Sequence, residues 1–400
     1  MGKIFFKNYD SALSVVRAAR FRIENRLAGL PKPARPIEEY ARATISWLLT
    51  AQAATPDDGV ADGYNVLSKK WGASYPETTG YIITSLLRAE RSGIGDRTQL
   101  RSAVVAMGSW LLTTQLECGA FPGGNMDVAK RNPKPTVFNT GQILKGLTDL
   151  ISEGLDSDGR VASGARRAAD WLLQIQDPDG AWYQGRSPWT EGPVHAYDIR
   201  TAWALARYGK QFDDSNAFKA AVRNAEWLMS KRDEEGWFAH LAFRPEDDPL
   251  THTVAYTIQG LQEIAVLCRR SEFLSAAVNA ARKMRTLQDP KTGAVPGQIS
   301  AGYHRGATWT NTTGNAQMAI IWLRLADITK DSSWREPGLM ANAFNCSIQE
   351  LDMESRDPGR RGGLRGSNPA HKGYGSFWYM NWTQKFHLDA LLAQKGVKIV

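Results

Sequence analysis

The sequence predicts an all-α protein: six helical hairpins closed into a ring of two concentric layers. Three observations lead there. Short glycine-centred turns recur, WGASYP (71–76), CGAFPG (118–123), DGAWYQ (179–184), EGWFAH (235–240), TGAVPG (292–297) and GGLRGS (362–367). Their glycines, Gly72, Gly119, Gly180, Gly236, Gly293 and Gly363, stand 47, 61, 56, 57 and 70 residues apart, which makes six units. Segments with apolar residues every three or four positions flank each turn, the period of a helix, and no stretch sustains the alternation of a strand. A hairpin of this size buries its apolar face only against neighbouring hairpins, in an open solenoid or a closed ring. The segments after the turns decide between them. They are rich in Gly, Ala, Thr and Ile and poor in charge, as helices enclosed on most sides are. The expected fold is an (α/α)6 toroid.

Each element follows in order. Residues 1–40 supply one amphipathic helix (about 10–27) and a Pro-rich strap, PKPARP at 31–36, packed outside a single toroid domain that spans 41–400. Outer helices are predicted at 41–52, 102–115, 164–176, 217–232 and 273–288, where Arg, Lys and Glu are frequent. Inner helices are predicted at 78–90, 138–151, 197–209, 252–267, 312–326 and 377–394. The pairs Trp47 and Gln52, Trp110 and Gln115, and Trp171 and Gln176 fall at one fixed place on the outer helices and read as packing and loop-bracing residues. The turn glycines read as conformational, because Gly accepts positive φ without a side-chain clash.

Composition narrows the function classes. With 42% hydrophobic residues and 14 Trp in 400 residues, the chain is folded. It has no run of 18 apolar residues, so no spanning helix is expected. Cys118, Cys268 and Cys346 lie too far apart for a metal, redox or disulfide motif. Residues 1–29 are basic but lack an apolar core followed by a small-residue cleavage site, so the chain reads as mature and cytoplasmic. Lys and Arg exceed Asp and Glu by 49 to 41, a net charge of +8. These charges are spread without a dense stripe, so no nucleic-acid partner is expected. The histidines lack compact ligand spacing, and neither a metal nor another cofactor is called for; PDDGVAD at 56–62 reads as a turn. The sequence leaves the oligomeric state open.

In such a ring, the loops before the inner helices and their first turns surround one end of the central cavity, where a ligand is expected. Those positions are polar and aromatic. They include Tyr75 and Glu77; Phe138 and Asn139; Trp189, His195, Tyr197, Asp198 and Arg200; His252 and Tyr256; Arg305, Trp309 and Asn311; and Tyr374, Trp378, Trp382 and Lys385. Four of the six histidines, His195, His252, His304 and His371, fall in these segments. Aromatic rings stack on the apolar faces of pyranoses, and polar groups hold the hydroxyls. Arg200, Arg305 and Lys385, with Arg361 and Arg365 nearby, suit a carboxylate. The expected partner is therefore an acidic oligo- or polysaccharide. Tyr75, Trp189, Tyr197, Arg305, Trp309, Asn311, Trp378, Trp382 and Lys385 are its expected binding residues. The plainer alternatives stand beside this: Ser, Thr and Asn as helix N-caps, Tyr256 and Trp382 as core aromatics, and His252 with Tyr256 as a hydrogen-bonded core pair.

The turn QDPDGAWY at 176–183 resembles the repeats of squalene and terpene cyclases and of protein prenyltransferase β-subunits. That resemblance covers the repeat skeleton only. The acid-rich cyclase motif is represented by nothing closer than PDDG (56–59) and PEDDP (245–249), and no cysteine has neighbours for an Asp–Cys–His zinc set, so both activities are set aside. Over roughly 40–395 the chain resembles carbohydrate-active α/α toroids: glycoside hydrolases, polysaccharide lyases and the helical domain of glucuronyl C5-epimerases. Its inner helices, such as THTVAYTIQGLQEIA, look like those of exopolysaccharide-cluster proteins. The resemblance implies an enzyme on a uronate-containing polysaccharide that removes the C5 proton, as lyase or epimerase. Toroidal lyases use Asn, His, Tyr and Arg for this, a set that Asn139, His252, Tyr256 and Arg200 supply here, with His195 as a further catalytic candidate. His252 and Tyr256 are i,i+4 and share a helix face. A Tyr base needs a depressed pKa or positive neighbours. A hydrolase would instead need two carboxyl groups across the scissile bond, for which Glu77, Glu191 and Asp198 are the candidates, ahead of Asp58 and Glu246; Glu77 and Asp198 begin different inner helices and could face each other, with retention or inversion open. A non-catalytic glycan-binding or exopolysaccharide assembly protein would keep the aromatics without needing His252, Tyr256 or the carboxylates. The positive charge favours lyase or epimerase.

Overall fold

The computed structural model describes residues 12–27 and 35–399. The helices are α1 (Ala12–Leu27), α2 (Ile37–Ala53), α3 (Pro76–Arg91), α4 (Arg97–Thr114), the single turn α5 (Met126–Ala129), α6 (Val137–Ser152), α7 (Arg160–Gln174), α8 (Ile199–Gln211), α9 (Ser215–Ser230), α10 (Thr251–Cys268), α11 (Ser271–Thr286), α12 (Thr312–Thr329), α13 (Arg335–Ile348) and α14 (Asn381–Gln394). Helices α3, α6, α8, α10, α12 and α14 pack each on the next, and α14 packs back on α3. This is the closed inner ring. Helices α2, α4, α7, α9, α11 and α13 form the outer layer, so the chain is an (α/α)6 toroid. No helix among the described residues is long and apolar enough to cross a membrane.

Sequence composition explains the two layers. Helix α7 buries one stripe, including Val161, Ala165, Ala168 and Leu172, at helical spacing. Helix α10 is buried on every side from Thr251 to Ala265. The inner helices cross closely at glycines: a Cβ on Gly146 would overlap the carbonyl of Gly80, and one on Gly80 would stand 2.6 Å from the Ile143 Cα.

The repeated glutamine braces each turn. Gln115 Nε2 donates to Gly119 O at 2.8 Å and to Gly164 O, in the next outer helix, at 2.8 Å. Gln176 Nε2 does the same with Gly180 O (3.0 Å) and Ala220 O (2.8 Å). Gln288 repeats the arrangement with Gly293 O and Pro337 O, and Gln349 with Gly362 O and Tyr40 O. The turn glycines have a second reason beyond positive φ. A Cβ on Gly119, Gly180, Gly293 or Gly362 would overlap a backbone carbonyl of the next outer helix, at Arg167, Arg223, Met340 or Ala43. In the first unit the braced residue is Asp58, at φ 65, and not Gly72; Gln52 Nε2 donates to Asp58 O at 3.1 Å. In the sixth it is Gly362, at φ 75, rather than Gly363.

The ring is sealed where its ends meet. Gly63–Asn65 pairs antiparallel with both Lys70–Trp71 and Trp378–Met380, with Tyr64 opposite Tyr379. Trp47 Nε1 donates to Gly359 O at 2.8 Å, and Asn381 Nδ2 donates to Ala61 O at 2.9 Å. Helix α1 lies over this seam: Arg17 donates to Leu67 O at 2.7 Å, and the Phe21 ring is 6.1 Å from that of Phe377. Residues 31–34 of the predicted strap lie outside the described residues.

Candidate functional site

At the end where the inner helices begin, side chains from α3, α6, α10 and α14 and from the intervening loops enclose a cavity of about 60 Å³. Glu77 and Tyr81 stand one turn apart on α3, and His252 and Tyr256 one turn apart on α10, so each pair shares a face. Pro76, at the first position of α3, suits a helix start because its missing N–H has no partner there, and it sets the entry of Glu77. Asn139 enters from the first turn of α6 and Trp382 from that of α14. Loops add Trp189, Tyr197, Phe243 and Tyr374.

The walls are aromatic. Phe138 meets Tyr197 edge-on at 5.3 Å and lies 5.2 Å from Tyr256. Tyr75 meets Trp382 edge-on at 6.2 Å. His252 lies 4.3 Å from Tyr256 and 6.1 Å from Tyr374, ring to ring. Two buried polar atoms in the wall have no partner among the described residues: the acceptor Asn139 Oδ1 and the donor Trp382 Nε1. Buried polar groups are normally paired, so this donor and acceptor suit the hydroxyls of a ligand.

Glu77 is the one carboxyl group in the wall. Part of its surface opens to the cavity, but protein surrounds it, and this desolvation raises its pKa to about 7; the Tyr75 hydroxyl and the charge of Arg200 pull the other way. Burial holds Tyr256 well above the usual tyrosine value, and Arg200 only partly opposes this. The positive surroundings therefore do not produce the lowered Tyr pKa expected from the sequence. Burial also lowers His252 to about 4, against a hydrogen bond with Gln317. His252 Nδ1 lies 2.9 Å from Gln317 Oε1; as an N–H donor there, it leaves Nε2 with its lone pair.

Of the catalytic and binding residues singled out in the sequence, Tyr75, Glu77, Asn139, Trp189, Tyr197, His252, Tyr256 and Trp382 line one cavity. The others do not line it. Arg200 is buried inside the barrel, donating from Nη1 to Gln259 Oε1 at 2.6 Å and from Nε to Gln142 Oε1 at 3.2 Å. Lys385 is buried too, 2.9 Å from Asp389, which also pairs with Arg88 at 3.3 Å. Both cations were expected at the rim; fixed interior partners hold them behind the aromatic wall instead. Asp198 lies beside Tyr197 but outside the wall, and burial alone lifts its pKa to about 8. His195 stacks on Tyr197 at 4.8 Å, away from the cavity, and burial lowers it to about 4.

The fifth unit contributes nothing to the wall. Thr310–Asn311 pairs with Ser367–Asn368 and covers the start of α12. Asn311 is an N-cap, its Oδ1 accepting from Gly314 N at 3.1 Å. Trp309 is wedged against Gly297 and Gly373. Arg305 is exposed and donates to Leu287 O at 3.1 Å. Trp378 is a strand residue opposite Asn65. The wall also includes Tyr81, Ser187, Thr190 and Phe243, which sequence reasoning missed. Tyr81 was signalled by its i+4 spacing from Glu77; the loop residues carried no signal. No group of three His, Cys, Asp or Glu among the described residues is placed to hold a metal ion.

No family model and no curated protein matches this sequence. Solved structures do match it. An unsaturated glucuronyl hydrolase specific for heparin is 15% identical and superposes over 91% of this chain and 98% of its own, with a TM-score of 0.69. Cellobiose 2-epimerase from Bacillus thermoamylovorans B4167 is 10% identical over 89% of this chain and 98% of its own, with a TM-score of 0.69. A polysaccharide lyase is 12% identical over 91% and 98%, with a TM-score of 0.61. At these identities the likeness establishes the fold: the chain is an (α/α)6 toroid of the architecture these carbohydrate-active proteins share.

Proposed function

We propose that the protein is an enzyme acting on a uronate-containing saccharide by moving the proton at C5, as lyase or epimerase. The observation that carries this is Glu77, a carboxyl group held neutral to about pH 7 inside an aromatic box that has an unpaired donor and acceptor in its wall. The three structural relatives, which act on glycans by hydrolysis, elimination or epimerisation, support the substrate class.

The roles differ from those first expected. Protonated Glu77 donates a hydrogen bond to the uronate carboxylate, a strong O–H···O⁻ contact, and takes over the neutralising task assigned to Arg200. Withdrawing charge from that carboxylate makes the C5 proton more acidic. His252 Nε2 accepts the proton. In a lyase the C5–H electron pair forms the C4=C5 bond, the C4–O4 bond breaks, and O4 takes a proton from Tyr256. The elevated pKa of Tyr256 keeps it protonated and suits it to donate rather than abstract. The adjacent imidazolium then returns its proton to Tyr256. In an epimerase the proton reaches the opposite face of C5 from the wall across the cavity, because Tyr256 shares the α10 face with His252. The three free thiols, Cys118, Cys268 and Cys346, support a reducing, cytoplasmic setting.

A hydrolase is the second reading, favoured by the raised pKa of both Glu77, at the start of α3, and Asp198, before α8 on the far side of α6. Incubation with a panel of uronate-containing saccharides in deuterated water separates the two. Unsaturated product, or deuterium at C5 without cleavage, is expected. New reducing ends without unsaturation would move the assignment to hydrolase, and no change in any saccharide would remove the catalytic proposal.

A further inference from the structure

A groove of about 1030 Å³ runs between α1, α13 and the loop joining α13 to α14, outside the cavity described above. Its charged lining residues are Arg22, Arg365 and Lys372, with His371 beside them, and no Asp or Glu among the described residues lines it. Arg365 is 4% exposed, and its Nε has no hydrogen-bond partner among the described residues. Its other contact is a long one, Nη2 to Ile348 O at 3.4 Å. A guanidinium held at nine-tenths burial or more with an unpaired N–H, in the lining of a groove that has no carboxylate among the described residues, is matched to an anion. Ile23, Phe344 and Pro369 supply apolar surface in the same groove, as a sugar ring face requires. One loop serves both places: Tyr374 stands in the cavity wall, while His371 and Lys372, two or three residues earlier, line the groove.

We infer that this groove is a second binding site, for the distal part of an acidic glycan chain whose end occupies the cavity. The inference rests on the acidic-saccharide reading above. Arg365 meets one carboxylate of the chain, and Arg22 and Lys372 hold its flanking charges.

The test is binding, kept separate from turnover. Polygalacturonate and a short galacturonate oligomer are titrated against the full chain, the R22E/K372E double variant and the Arg365→Met variant, each checked for an unchanged melting temperature. Both substituted positions of the double variant are exposed, so it remains informative if Arg365→Met misfolds. The expected result is polymer binding about tenfold weaker in the double variant, with short-oligomer binding unchanged. Equal polymer affinity in wild type and double variant overturns the groove, even if the enzyme turns the polymer over. No polymer binding by wild type also overturns it. Polymer binding that weakens in the variant but never leads to turnover keeps the groove and sinks the catalytic reading. Single-stranded DNA binding as tightly as polygalacturonate, and weakening equally, shows a general polyanion site and overturns the glycan assignment.

Discussion

The Arg200 guanidinium lies 4.6 Å from the centroid of the Tyr256 ring, and both residues are buried. Gln142 and Gln259 hold it there. A residue placed this way supports the tyrosine from behind and reaches no substrate carboxylate. Arg200→Met removes one partner of a buried polar network and is expected to cost about 1–3 kcal/mol of stability, with KM for an acidic saccharide changed less than about twofold. A large rise in KM at an unchanged melting temperature would make Arg200 a substrate ligand after all.

Glu77 couples activity and stability to pH in a stated direction. In the fold it keeps its proton to about pH 7, against 4.5 ordinarily, so the folded chain binds the extra proton and stability is lost as pH rises across that window. Glu77→Gln should therefore raise the melting temperature above pH 7 and not below 4.5. The gain is at most about 3 kcal/mol, from roughly 2.5 units at 1.36 kcal/mol each, and cavity water reduces it. The same variant keeps saccharide binding and part of its turnover, because the Gln amide still donates to the carboxylate, and its turnover no longer falls as pH rises through about 7. Wild-type turnover should fall as pH rises through about 7, when Glu77 ionises, and again below about 4, when His252 is protonated.

His252→Ala and Tyr256→Phe probe the proton path. Each should lower kcat by about 100-fold or more, with the melting transition of Tyr256→Phe close to wild type because the ring and its contacts remain. Retained turnover in both variants would refute the site assignment.

Two glycines separate backbone conformation from close packing. Gly154 has φ 67 and nothing within 4 Å of a built Cβ, whereas Gly180 has φ 93 and abuts the Arg223 carbonyl. Gly154→Ala should cost about 1 kcal/mol. Gly180→Ala should cost at least about 2 kcal/mol more, because the turn must move off α9. Equal denaturation midpoints would show that the inter-unit contact carries no energy.

The fold was legible because each unit repeats the same solution. Trp and Gln at one spacing, a glycine turn and a charge-poor second helix recur, and repetition makes a weak local signal strong. The repeat failed at its first turn for a physical reason. Asp tolerates the left-handed conformation, so Asp58 does the work of a glycine there, and a search for glycine finds Gly72. Half of the site was legible through i,i+4 pairs and helix starts. The other half misled. Inner helices are buried all round, so nothing in their sequence separates a rim residue from one facing the barrel interior, as Arg200 and Lys385 show. The covering of α12 by Ser367–Asn368 joins residues more than fifty positions apart, and no local pattern announces it.

The seam between Gly63–Asn65 and Trp378–Met380 has a consequence for how the molecule is made. The first unit cannot complete its sheet until Trp378–Met380 leave the ribosome. Throughout synthesis, α3 offers one flank to a neighbour that does not yet exist. The nascent chain is therefore an open arc with an exposed apolar edge, and loss of α14 would leave it in that state permanently.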